Sequence, residues 1–244
     1  MKTVKTKIKK KKKWSPVVLK LPDLSTYEQN DILKNACVAY KHACNSVNSF
    51  YNIYQRVRKG SKGGTAHSEQ DFLRAMLIFS CSGLDTILKQ LIKDGLASVI
   101  SNNKGACNEF QKFVSRGLRK KTLEEEKFLS IDTEFLSRAL INESPRNLLI
   151  KELQELLIKD SLQSKDQLLR LAAHFAITKN DILENEDETR QAFSTRNEII
   201  HEMDVDFSGY KNRRQRTLRS MKNCSKNILT IAANFVEQVN EKIQ

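Results

Sequence analysis

With 244 residues, 39% of them hydrophobic, the chain has enough apolar material to bury a real core, as one large domain or two small ones. Proline (3) and glycine (8) are scarce, and Leu, Lys, Glu, Asn and Ile abound, which points to an all-α protein and away from turn-rich β architectures. A formal net charge of +13 and a pI near 9.5 call for a polyanionic partner.

Lys2, Lys5, Lys7 and Lys9 through Lys13 place eight lysines ahead of Trp14. A block of like charges does not fold alone, so residues 1–25 are predicted to form a basic arm running into an extended stretch with Pro16 and Pro22. The arm has two readings, a solubilising tail or a contact to phosphate backbones. No apolar stretch follows it, so it is not a secretory signal.

A single helical domain is predicted over 26–244. Its first long helix starts near Ser25 or Thr26, where Ser25 and Glu28 have capping-box spacing, and runs to about Arg58. Gly60, Gly63 and Gly64 then make a turn. A second long helix starts around Ser68, carries Leu73, Met76, Leu77, Leu84, Leu88 and Leu91, and ends near Gly95 or Ser101. Several shorter helices occupy about 104–174 as an insertion, with Pro145 at a helix start after Ser144. A further helix begins near Thr178 or Asn180 with acidic first turns (Asp181, Glu184, Glu186, Asp187, Glu188) and closes at His201 to Met203. After a loop over 204–209, the last helix runs from about Lys211 to Lys242 on a stripe of Leu218, Met221, Ile228, Ala232, Phe235 and Val239. Two long antiparallel helix pairs, with the shorter helices between, are the natural packing.

No segment holds about 18 uninterrupted apolar residues, so no membrane span is expected. Five cysteines, an odd number without a CxxC pair, suit a reducing cytoplasm with free thiols better than a disulfide frame or a zinc site. The four histidines lack HExxH or paired-ligand spacing, and no metal site or cofactor is expected.

The most informative segment is Arg196-Asn197-Glu198-Ile199-Ile200-His201. By helical spacing Arg196 falls in a row with Ala192, Ile199 and Met203, and Asn197 in the next row with Phe193 and Ile200. A charge in such an apolar face costs several kcal/mol unless paired, and a local conflict of this kind marks a functional position. At roughly 100° per residue, Arg196 and His201 lie about 140° apart, whereas Asn197 and His201 share a face. A two-fold dimer that faces two such helices pools two arginines and two histidines. Metal-free RNA cleavage needs a base for the ribose 2′-OH, an acid for the leaving 5′-oxygen and a cation for the phosphorus centre. Two histidines and the guanidinium groups supply these.

This segment resembles the Arg-x4-6-His signature of HEPN domains, in which the position after the arginine is polar, as Asn197 is. Phe79-Ser80-Cys81-Ser82-Gly83-Leu84-Asp85, continuing to Leu91-Ile92, resembles the second long helix of the RiboL-PSP-HEPN subgroup. The resemblance covers about 27–100 and 175–244. It implies a HEPN-like bundle of long antiparallel helices that dimerises and acts as a metal-independent endoribonuclease, giving 2′,3′-cyclic phosphate ends. It also implies a toxin or phage-defence effector with a cognate antitoxin or defence-system partner protein. Carried over, Arg196 and His201 are the catalytic pair and Asn197 supports them, while Glu202 and Asp204 tune His201. Some members keep the fold without catalysis, which leaves a helical RNA- or protein-binding module as the alternative.

Around this core, Ser82 and Asp85 offer either a polar contact to the site or an ordinary helix face. Arg213, Arg214, Arg216 and Arg219 either hold RNA phosphates beside the motif or form a solvated face. Cys81 reads as a core thiol and His174 as a half-buried packing histidine.

Overall fold

A computed structural model describes residues 15–59, 63–118 and 133–244; the lysines ahead of Trp14, the Gly60 end of the predicted turn and 119–132 of the insertion lie outside the described residues. The described residues form α1 (Lys34–Arg58), α2 (His67–Asn102), α3 (Lys104–Gly117), α4 (Thr133–Ile141), α5 (Pro145–Lys159), α6 (Lys165–His174), α7 (Lys179–Ile182), α8 (Glu186–His201) and α9 (Leu218–Ile243). Among them there is no strand, only an isolated antiparallel bridge between Val205 and Arg213. The all-α expectation holds for this part of the chain.

The architecture is built around α2. This helix is apolar over most of its surface: Leu73, Met76, Leu77, Leu84, Ile87, Leu88, Leu91, Ile92, Leu96 and Val99 are all fully buried. A helix apolar all round must be covered all round, by protein or by lipid. By length and composition α2 could cross a membrane, but here α1 and α9 cover most of its apolar surface, α3, α5 and α8 add to this, and a stripe with Asp71, Phe79, Ser82, Thr86 and Lys93 stays exposed.

Side-chain contacts fix the directions. Asn35 on α1 reaches Asp94 on α2, and Arg58 at the end of α1 pairs with Glu69 near the start of α2, so these two run antiparallel. Asn227 on α9 donates to Thr189 on α8, and Arg216, just ahead of α9, pairs with Glu198 late in α8, so these also run antiparallel. Gln215 meets Gln70 at the start of α2, while Ile243 accepts from Asn102 at its end, so α2 and α9 are parallel. Two antiparallel pairs thus join along a parallel α2–α9 seam. The end of α1, the start of α2, the end of α8 and the start of α9 all lie at one end of the bundle.

Several boundaries differ from the periodicity reading, each for a local reason. Ser25–Tyr27 makes one 3-10 turn rather than the start of α1; Asp23 accepts from the Ser25 N–H and Asn30 from the Ile32 N–H, so turns persist until Lys34. The helix expected from Thr178 to His201 is two helices. Thr178 opens α7, its N–H and hydroxyl both donating to the Asp181 carboxylate, and Asn185 starts α8 afresh by accepting from the N–H groups of Asp187 and Glu188. The helix expected from Lys211 begins at Leu218, capped by Thr217, because 213–216 are drawn onto α2 instead. Pro145 does stand in the first turn of a helix, behind Ser144.

Candidate functional site

The predicted pair sits on α8. Ala192, Phe193, Thr195 and Ile199 are its buried face, while Asn197 and His201 are exposed. Arg196 lies between, half-buried on the α2 side, close enough to Cys81 to act on it electrostatically. Its Nη1 donates to Asn197 Oδ1 at 2.9 Å, and its Nε is buried without a partner among the described residues. A guanidinium held by one neutral amide keeps most of its donors for an incoming anion.

Asn197 and His201 open on a groove of about 700 Å³. One wall is α8, where Arg190, Ser194, Asn197 and His201 recur at three-four spacing. The opposite wall is the start of α6, with Ser164, Lys165 and Asp166. The insertion, for which the sequence offered no role, therefore builds one wall of the groove. Asp85 has a place in this: it accepts from the Leu162 N–H at 3.0 Å and pairs with Lys89, pinning the loop that leads into α6. Ser82 is exposed, and its carbonyl accepts from Thr86. Among the described residues neither of these hydrogen-bonds Arg196 or His201. Among the described residues no side chain hydrogen-bonds His201.

The segment after His201 is tied to α2. Met203 and Asp204 both have positive φ (53° and 62°), a conformation that non-glycine residues adopt at a cost of about 1 kcal/mol or more. The contacts made by Asp204 offset that cost. Its carboxylate is fully buried and accepts from Arg74 Nε at 2.6 Å and from Arg216 Nε at 3.1 Å. Burial pushes this carboxyl up, but the hydrogen bonds from Arg216 and Arg74 outweigh burial and hold it below its ordinary value. Arg74 also donates to the Arg214 carbonyl and to Asp71, and Asp71 in turn pairs with Arg213. The Asp206 N–H and Arg214 N–H close a short loop by donating to the Asn212 and Asp204 carbonyls. Phe207 and Tyr210 stand exposed on that loop, Tyr210 at 95%.

The four arginines expected to hold phosphate separate accordingly. Arg213 is committed to Asp71, Arg214 to Glu202 and the Val205 carbonyl, and Arg216 to Asp204 and Glu198. Arg219, exposed at the start of α9, pairs with no carboxylate among the described residues and lines a separate pocket with Glu188 and Cys224. Glu202 holds Arg214, and the Asp204 carboxylate is occupied by two arginines; among the described residues neither carboxylate hydrogen-bonds His201. Arg74, Gln70 and Asp71 were not singled out from the sequence, although an arginine inside the apolar run of α2 is a conflict of the same kind as Arg196.

Cys81 is a core residue whose thiol burial pushes up to about 12, with Arg196 pulling the other way. His174 is half-buried, and burial lowers its pKa. Among the described residues no group of three His, Cys, Asp or Glu side chains could hold a metal ion. No family model, curated protein or solved structure matches the chain, and the reading of the site rests on its own residues.

Proposed function

We propose that the protein is a metal-independent endoribonuclease of HEPN type that works as a two-fold dimer, a toxin or phage-defence effector held in check by a partner protein. The observation that carries this reading is one constellation on α8. Asn197 and His201, the latter unpartnered among the described residues, open on the same groove, and Arg196, whose one side-chain partner among the described residues is Asn197, meets the groove through it.

In the dimer one His201 removes the ribose 2′-OH proton and the 2′-oxygen attacks phosphorus. The P–O5′ bond breaks, and the second His201 protonates the leaving 5′-oxygen. The product keeps a 2′,3′-cyclic phosphate. Arg196 neutralises charge on the non-bridging oxygens, the contribution that is usually largest. Exposed Ile200, Met203, Phe207 and Tyr210 beside His201 give an apolar rim suited to a second copy.

A second reading has its own observation. Arg213, Arg214 and Arg216 are spent on carboxylates within the chain. The same apolar rim would then serve a non-catalytic protein-binding module.

The test is incubation of purified wild-type, Arg196→Ala and His201→Ala proteins with total RNA in excess EDTA, followed by analysis of product ends. Cleavage by wild type alone, leaving 2′,3′-cyclic phosphates, is the expected result. Folded wild-type protein that leaves RNA intact, with the variants indistinguishable from it, favours the binding module.

A further inference from the structure

His201 is exposed and, among the described residues, its ring has no hydrogen-bond partner. A proton-transfer side chain is ordinarily oriented by a third group; here its placement is left to the backbone. α8 ends at His201, and Met203 and Asp204 then turn the chain with positive φ. The Asp204 N–H donates back to the Glu198 carbonyl at 2.9 Å, and the Glu202 N–H donates to the same carbonyl at 3.1 Å. His201 is therefore the middle residue of a closed turn over 198–204.

One guanidinium spans the two ends of that turn. Arg216 Nη2 donates to the carboxylates of both Glu198 and Asp204, and its Nε donates to Asp204 at 3.1 Å. The same side chain is fixed to α2 from behind. The Arg216 N–H donates to Gln70 at 2.6 Å, and Arg74 donates to Asp204 at 2.6 Å and to the Arg214 carbonyl at 2.8 Å. Gln70 and Arg74 are both buried. Glu198 and His201 line the groove on α8, whereas Arg216 does not. An arginine whose Nε and Nη2 are both taken by carboxylates, and which stands outside the groove, is poorly placed to hold a phosphate there.

We propose that Arg216 is a positioning residue for His201: by binding Glu198 and Asp204 at once it closes the turn that carries the histidine and fixes that turn to α2. This rests on the reading of α8 as an RNA-cleaving site. The two roles open to Arg216 make opposite demands on Glu198. If Arg216 met a phosphate, Glu198 would compete with the RNA for it, and removing the carboxylate would tighten binding. As half of the clamp, Glu198 is needed for turnover, and removing it displaces His201. Lysine cannot stand in for Arg216, because a single ammonium lacks the planar fork that reaches two carboxylates in fixed geometry. A shift of about 1 Å in a reacting group costs up to about a hundredfold in rate.

The experiment compares wild type, Arg216→Lys, Glu198→Gln and the double variant, each at a temperature where thermal melts show it folded. Steady-state kcat and KM are measured on a short single-stranded RNA in excess EDTA, and the order parameter of the His201 amide is measured by ¹⁵N relaxation. Each single variant should lower kcat about tenfold to a hundredfold with KM changed by less than about twofold. The double variant should lose no more than the worse single one, because both changes open the same clamp. The His201 amide should fall from about 0.85, the value of rigid backbone, toward about 0.6. A role in folding alone would leave kcat per folded molecule unchanged, and that result overturns the proposal. So does a higher KM at unchanged kcat in Arg216→Lys, wild-type kcat in Glu198→Gln, or losses that multiply in the double variant. Failure of the nuclease reading looks different: wild type leaves the RNA intact. The amide then decides, since loosening in both variants upholds the clamp on His201 and an unchanged order parameter overturns it.

Discussion

Asp204 shows what a single residue contributes here. Its carboxylate is fully buried, and one of its partners, Arg74, is only 3% exposed, so removing the anion leaves a guanidinium in the core with weaker partners. Breaking a buried pair in this way costs about 3 to 5 kcal/mol. Asp204→Asn keeps the shape and loses the charge, and a loss of this size is expected in urea denaturation at pH 7. The pH dependence follows from the direction of the shift. A carboxyl held below its ordinary value in the folded state adds stability that is complete above the unfolded value, near 3.9, and lost as pH falls through the folded one. Asp71 shifts the same way: burial pushes it up, and Arg213 and Arg74 outweigh this. The gap between wild type and Asp204→Asn should therefore narrow as pH drops from 5 toward 2; a gap that stays constant to acid pH would remove the charge from the explanation. This network was only half legible in the sequence. Asp204 and the arginines were visible as charges near the motif, but their pairing needs α2 beside the loop, and local spacing cannot report contacts 130 residues apart.

Elements were more legible than their partners. Long three-four stripes located α1, α2 and α9, though α1 and α9 begin later than expected, because apolar periodicity reports a buried face directly but not where a helix starts. Boundaries set by polar side chains were missed, since Asn185 and Thr217 look no different from ordinary loop or helix residues until their hydrogen bonds are seen. The small-residue stretch Ser80-Cys81-Ser82-Gly83 belongs to this scale. Gly83 faces Ala43 of α1, and a Cβ added at Gly83 would overlap the Ala43 Cβ. The α1–α2 crossing is therefore as close as it is because Gly83 has no side chain. Gly83→Ala gains about 1 kcal/mol of helix propensity but forces two well-packed helices apart, at a cost of about 1 to 3 kcal/mol. A net fall in Tm is expected. Ala43→Gly in the same chain should recover much of it, because it removes the atom the new methyl group meets. Thermal melts of the two single variants and the double variant check this; a double variant that behaves as the sum of the singles would show that the two positions do not meet.

At the scale of the whole molecule, one chain presents one His201, on the edge of an open groove, whereas general acid–base cleavage of RNA uses two proton-transfer groups. The geometry of α8 sharpens the difficulty. Arg196 faces α2 and meets the groove only through its hydrogen bond to Asn197; on the proposed reading a second copy of the helix brings the second histidine. On the proposed dimer reading, exposed Ile200, Met203, Phe207 and Tyr210 are the apolar side chains that such a copy would cover. If the two histidines of a dimer act together, mixing wild type with His201→Ala has a definite consequence. When subunits exchange freely, the fraction of dimers with both histidines falls as the square of the wild-type fraction. An equal mixture should then cleave RNA at about one quarter of the wild-type rate, against about one half if each chain works alone. The measurement is initial cleavage rate across a series of mixing ratios at fixed total protein, after equilibration long enough for exchange. A squared dependence supports the shared centre, and a linear one places a complete active centre within each chain. Asp166 or Glu202 of the same groove would then be the residue to examine as the second proton-transfer group.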